Sequence, residues 1–175
     1  MRIGFIGLGN MATAIIGGML RENTVLGSSA TPLAASDIIG SAKTSATREA
    51  KAAELGIAVT ASNRQVAEEA DVLVLAVKPL FFPEVIDEIR DVISDGTLVI
   101  SIAAGLTLGR IAELFGLDSD TMRLIRCMPN TPALVNAGCT AVCPGPGATA
   151  SDEAVCLDLM NSFGRAIVIP ERLMD

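Results

Sequence analysis

The chain contains no His, Trp or Tyr, and its aromatic residues are five Phe among 175 residues. Without His, the commonest general base and the commonest imidazole metal ligand are both missing. Four cysteines, Cys127, Cys139, Cys143 and Cys156, form no CxxC pair. No metal site is therefore expected, and the cysteines read as reduced core thiols of a cytoplasmic protein. Cations are few: 13 Lys and Arg against 20 Asp and Glu leave a net charge of −7. That balance supplies no basic stripe for a nucleic acid. It does not exclude a phosphorylated small ligand, because backbone amides bind phosphate without side-chain charge. Long hydrophobic runs are also lacking. Residues 72–77 are too few to cross a bilayer, and the N-terminus reaches Gly7 too soon to hold a leader's apolar region.

What the chain does have is aliphatic residues, since half of it is hydrophobic. Short runs of Val, Ile, Leu and Ala alternate with helical patterns, the signature of a parallel sheet with helical crossovers. Strands are expected at 2–6, 33–36, 57–60, 72–77, 98–102, 122–127, 139–143 and 166–169. Helices are expected from Asn10, from a capping box at Ser62 to Gln65, around Pro83, and after Thr107 as far as Gly116. A last helix over 151–163 is expected to end at Gly164. The segments 27–45 and 144–147 read as long, mobile connections. The fold implied is α/β: a Rossmann-type, doubly wound, mainly parallel sheet with helices on both faces, forming one domain over 1–170.

The chemistry concentrates at the first turn. Gly7-Leu8-Gly9-Asn10-Met11-Ala12 is a G-x-G-x-x-A element between an expected strand and an expected helix. Gly7 permits the tight turn, Gly9 lets the backbone approach a pyrophosphate, and Ala12 keeps helix and sheet close. The adenosine ribose should meet the end of the second strand, read here as Ala35-Ser36-Asp37. Ser36 would hydrogen-bond a 2′-phosphate and Asp37 would repel one, with Lys43 and Arg48 as compensating charges. Residue chemistry alone leaves NADP and NAD both open. Two further strand ends, Ala76-Val77-Lys78-Pro79 and Ile102-Ala103-Ala104-Gly105, should border the same crevice. A third, Arg126-Cys127-Met128-Pro129-Asn130-Thr131-Pro132-Ala133, reads as a stiff loop presenting Asn130 and Thr131 to the substrate and nicotinamide.

These four segments, together with Gly4-Phe5-Ile6 before the glycines and Leu106-Thr107 after Gly105, resemble pyrroline-5-carboxylate reductase, the family that completes proline synthesis. The resemblance implies hydride transfer from NADPH, or less often NADH, to the C=N carbon of pyrroline-5-carboxylate, giving L-proline. It implies cofactor contacts at Ile6, Gly7, Leu8, Gly9, Asn10, Met11, Ser36, Asn63, Ala76, Val77, Lys78, Pro79, Ile102, Ala103 and Ala104, to which the glycine element adds Ala12. Ser36 in that set tips the expectation toward NADP. It also implies a following helical domain that makes the family's homo-oligomer and helps hold the substrate. Residues 171–175 would begin it, so the chain is expected to bind cofactor and to be inactive alone. No residue is assigned as a catalytic acid. The alternatives are the cofactor domain of a β-hydroxyacid dehydrogenase, which shares the first motif, and a dinucleotide-binding module without turnover.

Overall fold

The computed structural model describes residues 1–174; Asp175, the last residue of the expected helical-domain start, lies outside the described residues. Among the described residues eight strands form one sheet: β1 (Ile3–Ile6), β2 (Ile38–Ser41), β3 (Ala58–Thr60), β4 (Val72–Leu75), β5 (Leu98–Ser101), β6 (Leu124–Met128), β7 (Gly138–Pro144) and β8 (Gly164–Val168). Their order is β3-β2-β1-β4-β5-β6-β7-β8. The first six strands in the chain are parallel, β7 runs antiparallel to β6, and β8 lies parallel to β7 at the edge. The 3-2-1-4-5-6 core is the Rossmann order, and its direction of winding reverses between β1 and β4.

Among the described residues six α-helices cover the sheet: α1 (Asn10–Arg21), α2 (Ser45–Leu55), α3 (Asn63–Glu69), α4 (Phe82–Ile89), α5 (Leu108–Phe115) and α6 (Ala150–Asn161). The strands β1, β2, β4 and β5 are buried on both faces, as their unbroken aliphatic runs require. One core packs Ile15, Ile16 and Met19 of α1 and Val155, Cys156 and Leu159 of α6 against Phe5, Val74 and Ile100. The other packs Val66 of α3, Ile86 and Ile89 of α4 and Ile111 of α5 against Ile6, Leu73 and Val99. Local signals start α3 and α5 where the sequence places them, while α2, capped by Thr44, is a helix the sequence reading did not place. The hydroxyls of Ser62 and Thr107 accept from the N–H groups of Gln65 and Arg110, and Gly116 ends α5 in the left-handed conformation.

Several expectations are corrected. The second strand is Ile38–Ser41, not 33–36; Ala35–Asp37 is instead a single 3₁₀ turn. The Asp37 carboxylate accepts from the N–H of Ala34 at 2.9 Å, holding the turn, while β-branched Ile38 and Ile39 form the buried strand. Gly164 does not terminate α6 but opens β8, where a Cβ would lie 2.1 Å from the Gly138 carbonyl oxygen. The segment 144–147 is tied down: the Gly145 N–H donates to the Leu124 carbonyl at 2.9 Å. Likewise 27–45 contains β2 and the start of α2 rather than one long connection. Cys127, Cys143 and Cys156 are buried thiols, whereas Cys139 is exposed. Finally, Met174 packs into the second core, and the Glu171 carboxylate pairs with fully buried Arg126 at 3.2 Å. Residues 171–174 therefore pack onto this domain. Val168 and Leu173 are exposed, whereas Met174 is buried.

Candidate dinucleotide site

The candidate site grows out of the reversal between β1 and β4, where the carboxyl ends of two neighbouring strands splay their loops apart. Gly7 follows β1 with φ of +95°, and a Cβ there would sit 2.9 Å from the Ala76 carbonyl oxygen and from Val77. No residue with a side chain fits that turn. Gly9 is different: a Cβ built on it meets nothing within 4 Å, so the space in front of it is open. Gly9 is also the N-cap of α1, makes no side-chain cap, and is followed by a first turn without acidic residues. The first amides of α1 have no partner within the helix, and they face that space with the positive end of the helix dipole. Ala12 is buried beneath, where its methyl permits close packing of α1 on the sheet. The backbone thus provides a candidate anion site at the reversal of the sheet.

A cavity of about 450 Å³ extends from this turn toward β2. Its lining joins Gly7, Leu8 and Gly9 to Ser41, Lys43, Thr44, Asn63, Val77, Glu84 and Glu88. At its base the Ser41 hydroxyl donates to the Asn63 side-chain carbonyl at 2.7 Å, and the Asn63 amide donates to a Glu88 carboxylate oxygen at 2.7 Å. The amide orientation follows from chemistry, since an ionised carboxylate has no proton to give and must face the NH₂ group. Above, Lys43 lies 3.9 Å from the Glu84 carboxylate, and both side chains are largely exposed. From beneath the loop, the Arg48 guanidinium donates to the carbonyls of Ala42 and Lys43 at 2.8 and 3.1 Å.

Five of the sequence-derived site residues, Gly7, Leu8, Gly9, Asn63 and Val77, line this cavity. Ile6 ends β1 in the sheet, Asn10 and Met11 open α1, and Asn63 and Val77 line the cavity wall beside Gly7, Leu8 and Gly9. Ala76 is half-buried against Gly7, whereas Lys78 and Pro79 are exposed where the chain turns toward α4. Ile102, Ala103 and Ala104 follow β5, two strands from β1, beyond the cavity's lining. Asn130 and Thr131 follow β6, one strand further on. The Asn130 side-chain carbonyl accepts from the Cys139 N–H at 2.9 Å, so one of its groups anchors the start of β7. Ser36 is elsewhere. It precedes β2, and its carbonyl accepts from the guanidinium of Arg2, which precedes β1. That is the amino end of the parallel strands, opposite the glycine turn. Ser41 stands where Ser36 was expected, at the carboxyl end of β2. The sequence signal for it is the Ile38-Ile39 pair immediately before.

A doubly wound sheet with a glycine turn, an open helix N-terminus and a polar cavity at its reversal is the Rossmann class of dinucleotide-binding domain. Comparison with known proteins narrows the class. The chain belongs to the family described as NADP oxidoreductase, coenzyme F420-dependent, whose model matches residues 2–105. It is 40% identical over 173 residues to the pyrroline-5-carboxylate reductase of Escherichia coli (strain K12), covering 99% of this chain and 60% of that protein. It is also similar to the solved pyrroline-5-carboxylate reductase of Coxiella burnetii, with a TM-score of 0.86, 30% identity and coverage of 97% of this chain and 59% of that one. The Plasmodium falciparum pyrroline carboxylate reductase, solved with NADP bound, superposes with a TM-score of 0.78 at 26% identity, over 98% of this chain and 58% of that one. The resemblance read from the four motifs is thus found along nearly the whole chain. The chain spans about three-fifths of the length of these relatives. No helix among the described residues is long and apolar enough to cross a membrane.

Proposed function

We propose that this chain is the cofactor-binding part of a pyrroline-5-carboxylate reductase, taking NADPH and, less readily, NADH. The observation that carries the reading is the turn at Gly7 and Gly9: a left-handed glycine packed on Ala76 and Val77, then an open face at the uncapped N-terminus of α1. Similarity to reductases of this kind over 99% of the chain supports the substrate. The domain proposed for this role is residues 1–170, with Glu171 and Met174 packed against it.

In this reading the first amides of α1 hold the pyrophosphate, and Ser41, Lys43 and Thr44 border the adenosine ribose. The segment Ala76 to Pro79 passes beneath, and Ile102, Ala103 and Ala104 leave room for a flat ring beside the end of β5. Asn130 and Thr131 border the place of the substrate. A reduced nicotinamide supplies the hydride that reaches the C=N carbon. The protein's part is orientation and exclusion of water, which suits a protonated imine that needs no strong base. No residue of the chain is assigned as proton donor. Residues 1–175 alone are expected to bind cofactor without useful turnover, because orienting the substrate is proposed to need the part of the relatives that this chain does not span.

Titration calorimetry with NADPH and NADH tests the binding half. Gly9→Asp should abolish binding of both while the protein stays folded, and unchanged affinity would overturn the placement. Turnover is tested by following NADPH absorbance with pyrroline-5-carboxylate, for this chain and for one of the relatives' full length. Equal rates would show that the site is complete within residues 1–175.

A further inference from the structure

The adenosine corner of the cavity carries more negative charge than a site for a 2′-phosphate needs. Glu84 and Glu88 lie four residues apart on α4, hence on one face of that helix, and both line the cavity. Each already holds a polar group that a ribose 2′-substituent would meet. Glu84 lies 3.9 Å from Lys43, the one cation among the lining residues, across the gap between α4 and the loop after β2. Glu88 takes the Asn63 amide at 2.7 Å, and this turns the Asn63 carbonyl toward Ser41, whose hydroxyl proton it accepts. Arg48 is tied to the carbonyls of Ala42 and Lys43. Arg64, the next cation on α3, pairs with Asp91 at 2.7 Å.

We propose that Glu84 and Glu88 are the positioning residues that set this chain's discrimination between 2′-phosphorylated and unphosphorylated adenine dinucleotides. The inference rests on the dinucleotide reading of the site. A 2′-phosphate is a dianion that only accepts hydrogen bonds. To engage it, Lys43 must share its charge with Glu84, 3.9 Å away, and Ser41 must turn its proton away from Asn63. A 2′-hydroxyl asks for neither, because it can donate to the Ser41 oxygen as the relay stands. Carboxylate repulsion acts on the phosphate alone. The two glutamates therefore work against the attraction of Lys43 and hold the preference for NADPH down, leaving NADH accepted.

The test compares NADPH and NADH affinities of the wild-type chain, Glu84→Gln, Glu88→Gln and the double variant, by calorimetry at low salt and at about 0.5 M salt. Both single variants should raise the ratio of NADPH to NADH affinity by about fivefold, the scale of one exposed charge interaction, and the double variant by more. The gain from Glu84→Gln should shrink in high salt. A purely structural role would change both cofactors together. An unchanged ratio, or equal change for both cofactors, overturns the inference while leaving the dinucleotide reading intact. Failure of the wild-type chain to bind either cofactor removes that reading and the inference with it. Melting temperatures matching wild type show that a changed ratio is not a folding effect.

Discussion

The parallel half of the sheet and its antiparallel wing use glycine for opposite reasons. At Gly9, beside β1, a side chain would meet nothing within 4 Å, and the residue keeps a space empty. At Gly164, where β8 joins β7, a Cβ would lie 2.1 Å from the Gly138 carbonyl oxygen, and the residue lets two backbones touch. The first glycine costs the fold little and carries the proposed binding site. The second carries the fold. Residue type therefore says less about role than the volume around it.

The sharpest way to break this contrast is to exchange the penalties. Gly164→Val should destabilise the domain by about 3 kcal/mol or more through backbone overlap, read as a lower urea midpoint. Gly9→Asp should not lower that midpoint while abolishing NADPH binding, since a carboxylate then occupies the proposed anion site. A stability loss at Gly9 matching that at Gly164 would erase the distinction.

A smaller effect is expected at the closing of the wing. Glu171→Gln takes a carboxylate from buried Arg126, and Glu171 is about one-third exposed, so solvent softens the loss. About 1–2 kcal/mol is expected, measured by chemical unfolding, with cofactor affinity little changed.

Smaller still is the effect that separates the two candidate serines. Ser41→Ala should weaken cofactor binding by about 1 kcal/mol, one hydrogen bond's worth. Ser36→Ala should change nothing, because that side chain lies at the other end of the strands. Calorimetry on both variants decides it, and a loss at Ser36 would put the adenosine at the wrong end of the sheet.

The acid side offers a last comparison. Burial alone would raise the Asp152 carboxyl, but hydrogen bonds from Arg123 and from Thr149 hold it below the ordinary carboxylate range. A lowered folded value stabilises the protein above the unfolded value, near pH 4, and the contribution is lost as pH falls through the folded one. Asp152→Asn should therefore flatten the fall in stability below about pH 4. An unchanged acid limb of the stability curve would assign that fall to other carboxylates.

The sequence's legibility follows the range of the interactions involved. The glycine turn, the caps at Ser62 and Thr107 and the stop at Gly116 depend on residues within a few positions, and each is readable. The second strand is harder to place, because Leu33-Ala34-Ala35 offers a short apolar run of its own. Only the packing of Ile38 and Ile39 between β1 and β3 decides against it. A strand read at that run brings Ser36 into the expected site in place of Ser41. The relay from Ser41 through Asn63 to Glu88 spans separations of 22 and 25 residues. Glu84 and Glu88 read as the solvated face of a helix until β4 is seated next to β1. Recognition of the family supplied Asn63, and nothing local would have.

The pairing of Glu171 with Arg126 has a mechanical meaning as well. The same carboxylate oxygen that reaches Arg126 accepts the Leu108 N–H at 2.7 Å, at the first residue of α5. That helix begins where the loop carrying Ile102, Ala103 and Ala104 ends. A pull on the tail beyond β8 is thus borne by a helix start beside the crevice rather than by the edge strand alone. The tail is moored to the start of α5, and tension along it would tug on the preceding loop, where the ring of a bound dinucleotide is proposed to lie.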